Sequence, residues 1–423
     1  MNPFLRFWSL RFLADLNDPK LLASSRLAAF PRSFTRERKL NFRTTLLTML
    51  DVGRESTSLK LHRLCRHTKE SGAAMEVSQQ AFSKARNQIS EYPLRHLFET
   101  QIEAEYHGEM GRLPFRSADL WTYLAIDGIK IALPNLPELR EKYFSTGAGG
   151  SSPTALGSCL YDISNNRFID AAFSAKLDER SCAVSHMDRY GKLRPGDQKS
   201  MFILDRGYPS IGLIQEFEAR KMTYLMRCRT KFNREIDALP LGCDATVDID
   251  GSAVRVVKFL LSSGQLETVI TNDTEHNAED FRQIYFLRWG IENSYDLLKN
   301  RFQLENFTGK TENTLKQDFW ATILASTMLM VMEEDVDEQI RKERESKENR
   351  YEYQVNRNKF IGIMRDDLIH ALTARNQVTL ITRMNKIMKR AQAFVCPIKP
   401  DRTVPRAENK RKTKFHHNLK SNC

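Results

Sequence analysis

Apolar residues dominate from Trp121 to Ile126, break at Asp127 and Gly128, then alternate with polar ones at Ile129, Ile131 and Leu133, a strand pattern. Similar short apolar runs predict strands at 121–126, 157–162, 168–173, 200–204 and 223–228, with helical spacing near 178–190 and 210–221 between the later ones. The order is three strands, then alternating helix and strand. A second β-rich stretch, about residues 230–273, contains ATVDID, SAVRVVKFLLSS and QLETVITN separated by turn residues. The period then changes. Ile284, Leu287, Ile291, Tyr295, Leu298 and Phe302 recur at helical spacing and predict one helix with a buried stripe. A further helix is expected from Thr311 to about Ser346. Its apolar part, Phe319 to Met332, is shorter than the roughly 20 residues a membrane span needs and reads as a core helix. Residues 333–350 change to dense charge and read as an exposed helix or linker.

Charge changes this picture at both flanks. A chain of 423 residues with net charge +12 favours a polyanionic partner, either nucleic acid or an anionic membrane surface. Residues 1–115 read as a helical basic region: Arg32, Arg36, Arg38, Lys39 and Arg43 cluster after Pro31, and VSQQAFSKARNQIS, from Val77, fits either a DNA-reading helix or a solvated basic one. The end, Lys399 to Lys420, is basic and is expected to order on DNA. The expected division is therefore 1–115, a central 116–350, and a C-terminal helical segment and basic tail, 351–423. Seven scattered cysteines without a Cys-x2-Cys pair point to a reducing compartment and away from structural zinc. Arg6, Arg11 and Asp15 interrupt the start before a signal peptide's apolar run can form.

Candidate chemistry centres on Tyr285 to Lys299, YFLRWGIENSYDLLK. At about 100° per residue, Tyr285, Arg288, Glu292 and Lys299 fall within about 60° of one helical face, so three phosphate-seeking side chains surround one carboxylate. A hard divalent cation needs further oxygen donors, and Asp127 and Asp205 are the candidates. Asp127-Gly128 equally fits a hairpin turn. Asp205 ends an apolar strand ahead of a helix, where ligands of α/β sheets gather, although Asp-Arg-Gly also fits an ordinary turn. The histidines at 62, 67, 107, 186 and 276 lack paired zinc spacing.

The order Asp127, Asp205, Glu292, with Glu292 inside Tyr-x2-Arg-x3-Glu-x6-Lys, resembles the DDE transposases of the IS4 family of bacterial insertion sequences. The resemblance extends over roughly residues 116–310 and includes Leu133-Pro134-Asn135, the strand pair Gly157 to Ala171, Asp205-Arg206-Gly207-Tyr208 and Thr271-Asn272. It implies an α/β fold with a ribonuclease H-like catalytic core, a mixed five-stranded sheet flanked by helices, carrying a β-rich insertion and preceded by a helical DNA-binding region. It also implies cut-and-paste transposition, in which Asp127, Asp205 and Glu292 hold two Mg²⁺ ions, with Mn²⁺ as a substitute. Tyr285, Arg288, Lys299 and, beside Asp205, Arg206 would face phosphate. The implied partners are transposon-end and target DNA, met by a homodimer in a synaptic complex in the bacterial cytoplasm, with no membrane. The insertion departs from the family pattern in holding no Trp, which leaves Phe232 and Phe259 as either base-receiving aromatics or core. A catalytically silent repressor would need no acidic triad, and an unrelated metal-dependent nuclease would need no Tyr-Arg-Lys face.

Overall fold

The computed structural model describes residues 1–36, 39–51, 55–69, 77–110, 121–146, 152–193, 198–261 and 264–399. The chain forms two compact units that interleave along the sequence: residues 102–131 with 142–296, and residues 1–101 with 132–141 and 297–423.

The unit containing residues 142–296 is built on one nine-stranded mixed sheet. Its strands are β1 Trp121–Ala132, β2 Phe144–Thr146, β3 Ser152–Asp162, β4 Arg167–Ser174, β5 Lys199–Leu204, β6 Thr223–Arg227, β7 Asp244–Ile249, β8 Ser252–Leu260 and β9 Leu266–Thr271. The order is β2-β3-β1-β5-β6-β9-β8-β7, with β4 also paired to β3. β1, β5 and β6 run parallel, Ala125 beside Ile203 and Leu204 beside Met226. β3 and β4 are antiparallel. The five expected strands are all present, and the β-rich stretch after them is continuous with their sheet. β9 pairs antiparallel with the far side of β6, and β8 and β7 extend the sheet from there. Nor do Asp127 and Gly128 turn the chain, because β1 passes through both as a single 12-residue strand.

Alternation along β5 sorts its side chains onto the two sheet faces. Met201 and Ile203 join Trp121, Tyr123, Leu225, Val257 and Val269 in a buried cluster closed by Phe281 and Ile284 of the helix Ala278–Phe286. Phe259 packs at its margin, so that residue has a core role. Phe202 points the other way, into an aromatic chain from Tyr190 through Phe217 to Tyr224 with centroids 5.3–5.5 Å apart. Tyr190 and Phe217 belong to the helices Glu179–Leu193 and Ile211–Ala219, which thereby cover this face. Burial of such rings is the main force holding helix to sheet.

The other unit is helical around Glu312–Arg344, 33 residues long and buried from Phe319 through Glu333. The exposure expected from residue 333 begins later, since residues 341–350 are nearly all exposed but Glu333 and Asp335 are buried. Arg357 donates to Glu333 at 2.8 Å, and the Asn2 main-chain N–H donates to Asp335 at 2.7 Å. These partners satisfy carboxylates that burial would otherwise penalise. The basic N-terminal side chains are partly committed in the same way. Arg86, in the helix Gln79–Arg86, is buried against Gln317 and Asp318, and Arg43 donates to the carbonyls of Leu372 and Ala374. Arg38 and the segment 400–423 lie outside the described residues. No described helix is long and apolar enough to cross a membrane.

Candidate active site

Asp127 lies on β1 and Asp205 follows the last residue of β5. The two strands are paired in parallel with Ala125 beside Ile203, so Asp127 and Asp205, each two residues further on, emerge side by side. Each carboxylate accepts a bond from a nearby glycine N–H, from Gly128 to Asp127 at 2.9 Å and from Gly207 to Asp205 at 2.7 Å. Burial pushes the Asp127 carboxyl up to about 7; Arg288 opposes the rise, whereas Asp205 and, more weakly, Glu179 add to it.

The predicted continuous helix from Tyr285 to Lys299 does not form. The helix Ala278–Phe286 ends at Leu287, and a second, Trp289–Asp296, begins after a tight turn. There the N–H groups of residues 287, 288, 290 and 291 each reach back three residues instead of four. Leu287, expected in the buried stripe, is therefore 38% exposed, while Ile284, Ile291, Tyr295, Leu298 and Phe302 are buried as expected. Beyond Asp296 the chain widens into a π-helical turn, Leu297–Arg301. A uniform 100° wheel thus does not describe this stretch.

The turn aims Arg288 at both acids. Its guanidinium lies 3.4 Å from Asp127 Oδ2 and is ion-paired with Glu292 four residues on. Tyr285 stacks beneath that guanidinium at 5.9 Å from the ring centroid, and burial raises its phenol above the ordinary range, opposed by Arg288. The structure thus brings together Asp127, Asp205, Arg288, Glu292 and Tyr285. Lys299 belongs to the π-helical turn in the other unit, 3.6 Å from Glu305. Arg206 is exposed, on the side of Glu267.

Four contributors were not singled out from the sequence. Tyr295, read only as part of the apolar stripe, donates its hydroxyl to the main-chain oxygen of Asp127. Arg180 donates to the carbonyls of Gly207 and Tyr208 at 3.0 Å and of Pro209 at 3.3 Å, which fixes the loop after Asp205. Glu179 lies against Gly128, and Tyr208 is buried among the acids. Only the position of residues 179 and 180 at a helix start was legible beforehand. His186 is a core residue, held between Asp170 at 2.7 Å and Ser158 at 3.0 Å.

Among the described residues no three His, Cys, Asp or Glu side chains are gathered closely enough to enclose a metal ion. The donor chemistry nevertheless fits a hydrated Mg²⁺, which takes one or two protein carboxylates and completes its shell with water and phosphate oxygens. The Tyr285 hydroxyl and the Arg288 guanidinium, both largely buried, stand beside these carboxylates as donors suited to a phosphate oxygen.

Residues 123–328 match the family described as the transposase DDE domain. That match supports a DNA-cleaving DDE transposase. Asp127, Asp205, Tyr285, Arg288, Glu292 and Lys299 all lie inside the matched stretch of this DDE domain. No curated protein matches the chain. Among solved structures, the piggyBac transposase synaptic complex with hairpin DNA is similar at 11% identity and a TM-score of 0.48, covering 90% of this chain and 85% of that one.

Proposed function

We propose that this protein is a cut-and-paste transposase of the IS4 type, which binds the terminal inverted repeats of its own insertion sequence, cleaves them, and joins the 3′-hydroxyl ends to target DNA. The observation that carries the reading is the placement of Asp127, on β1, beside Asp205, just past the end of the parallel β5, with Arg288 linking Asp127 to Glu292, inside a stretch that matches the DDE domain. Strands β4-β3-β1-β5-β6, with β1, β5 and β6 parallel, support a ribonuclease H-like core. In this reading a catalytic region, 116–350, is flanked by DNA-binding segments at 1–115 and 351–423, and two copies act together on paired ends in the bacterial cytoplasm.

Asp127, Asp205 and Glu292 are the catalytic and metal-holding residues. Two Mg²⁺ ions, or Mn²⁺ in their place, would supply Lewis-acid activation of the attacking oxygen and charge stabilisation of the leaving one. The chain's own work is positioning. Tyr295 and Arg180 hold the main chain at Asp127 and after Asp205, so the two carboxylates keep a fixed separation. Arg288 offers a planar fork to a phosphate, Tyr285 a hydroxyl donor and Lys299 a point charge, with the Arg206 guanidinium a further candidate for the same phosphate environment. In cleavage, water oxygen bonds to phosphorus and the 3′-oxygen leaves with a proton. In joining, that 3′-hydroxyl oxygen bonds to a target phosphorus, and the target strand's own 3′-oxygen leaves with the proton.

Replacing Asp127 or Asp205 with Asn, or Glu292 with Gln, should abolish cleavage of DNA carrying the inverted repeats that flank the gene, while gel-shift binding persists. Near-normal cleavage by one of these variants removes that residue from the site. Metal-dependent joining of a cut end to a second DNA separates a transposase from a repressor or a simple nuclease.

A further inference from the structure

Glu179 opens the helix Glu179–Leu193 in the same unit as both aspartates. A Cβ built on Gly128 would stand 2.6 Å from Glu179 Oε1 and 2.8 Å from its carboxyl carbon, so this carboxylate occupies the space a side chain at 128 would need. A Cβ on Gly207 would stand 3.1 Å from Asp205 Oδ1 and 3.9 Å from Glu179 Oε2. One carboxylate therefore lies over both glycines that follow the aspartates. The charged groups acting on it are Asp205, Lys130 and Arg180, and the Arg180 guanidinium is already bonded to the carbonyls of residues 207–209.

A second observation comes from Tyr208. Its side chain is fully buried, its hydroxyl has no hydrogen-bond partner, and the charges acting on it are Asp127, Glu179 and Asp205. An unsatisfied buried hydroxyl is destabilising, a cost removed when a water or ligand oxygen enters among those acids. Three carboxylates thus act on one buried hydroxyl that lacks a partner.

We propose that Glu179 is a fourth carboxylate of the cation site, accepting hydrogen bonds from the water shell of a divalent ion held by Asp127 and Asp205. The inference rests on the metal-dependent function proposed above. A small hard cation sheds its waters reluctantly, so a carboxylate standing one water away serves it without coming into direct contact. Such a partner orients the bound water and adds negative charge without crowding the phosphate. A side chain at 128 would then push the Glu179 carboxylate away.

The experiment measures Mn²⁺ binding to the full chain, without DNA, from the loss of the free-ion electron paramagnetic resonance signal. Glu179→Gln keeps the shape and removes the charge, and loss of an outer-shell partner should weaken binding by roughly 10–100-fold. Gly128→Ala, which displaces the carboxylate from the other side, should weaken it in the same direction. The urea midpoint of Glu179→Gln in EDTA should match that of the wild type, which separates lost binding from lost folding. Unchanged Mn²⁺ affinity in Glu179→Gln, with clear loss in Asp127→Asn and Asp205→Asn, overturns this inference and leaves the proposed site standing. Unchanged affinity in all of these variants overturns both.

Discussion

Replacing Asp127 with Asn tests the electrostatic reading of the site through stability alone. The amide still offers an oxygen to the Gly128 N–H but cannot ionise. An ordinary aspartate titrates near 3.8, whereas burial pushes Asp127 up to about 7. Below pH 3.8 the carboxyl is protonated in both folded and unfolded chains, and its contribution to stability is fully present. As pH rises the unfolded chain releases its proton first, and the folded chain follows only as pH passes about 7, so stability falls through that window. At about 1.4 kcal/mol per tenfold difference in proton affinity, moving from about pH 5 to about pH 8 should cost the wild type about 3 kcal/mol at this residue. The Asn variant escapes that loss. Urea unfolding in EDTA at the two pH values should therefore show the variant gaining about 3 kcal/mol on the wild type at the higher pH. Excess Mg²⁺ should narrow the gap, because it binds the ionised carboxylates of the folded chain. A gap of equal size at both pH values would mean that Asp127 titrates as an ordinary aspartate and that the burial argument is wrong.

Other perturbations follow from the same contacts. Arg288→Ala removes the main influence opposing the rise at Asp127, so the pH window of that residue should shift upward; strand joining should also fall more than first nicking in a gel assay that resolves both. Tyr295→Phe deletes the hydroxyl that donates to the Asp127 carbonyl and should cost about 1 kcal/mol in urea unfolding, with end cleavage reduced more than end binding. Deleting residues 399–423 should flatten the slope of log affinity against log salt by about 0.9 per lost phosphate contact, equally on element-end and random DNA. An unchanged slope would assign that charge to something other than a DNA clamp.

The sequence by itself determined the strands and helices whose patterns are local. Residues 121–126, 157–162, 168–173 and 200–204 lie within β1, β3, β4 and β5, and the helices near 178–190 and 210–221 also match, because burial on a sheet face or helix stripe writes period 2 or 3.6 directly into the chain. Asp127 and Asp205 were legible as candidates because they are acids at breaks in apolar patterns, and Glu292 because Tyr285, Arg288 and Lys299 accompany it at helical spacing. What only the tertiary structure decided involves partners distant along the chain. Whether Asp-Gly at 127 turns or continues depends on β5 pairing beside it. Whether residues 244–271 form a module or extend the sheet depends on the open side of β6. The burial of Glu333 depends on Arg357. The tight turn at Leu287 defeats any uniform wheel, since three-residue and four-residue hydrogen bonding leave nearly the same apolar spacing in sequence. Glu179 was legible only as a residue at a helix start and Tyr208 only as part of the Asp205-Arg206-Gly207-Tyr208 block; neither showed a role until the sheet brought them against two aspartates.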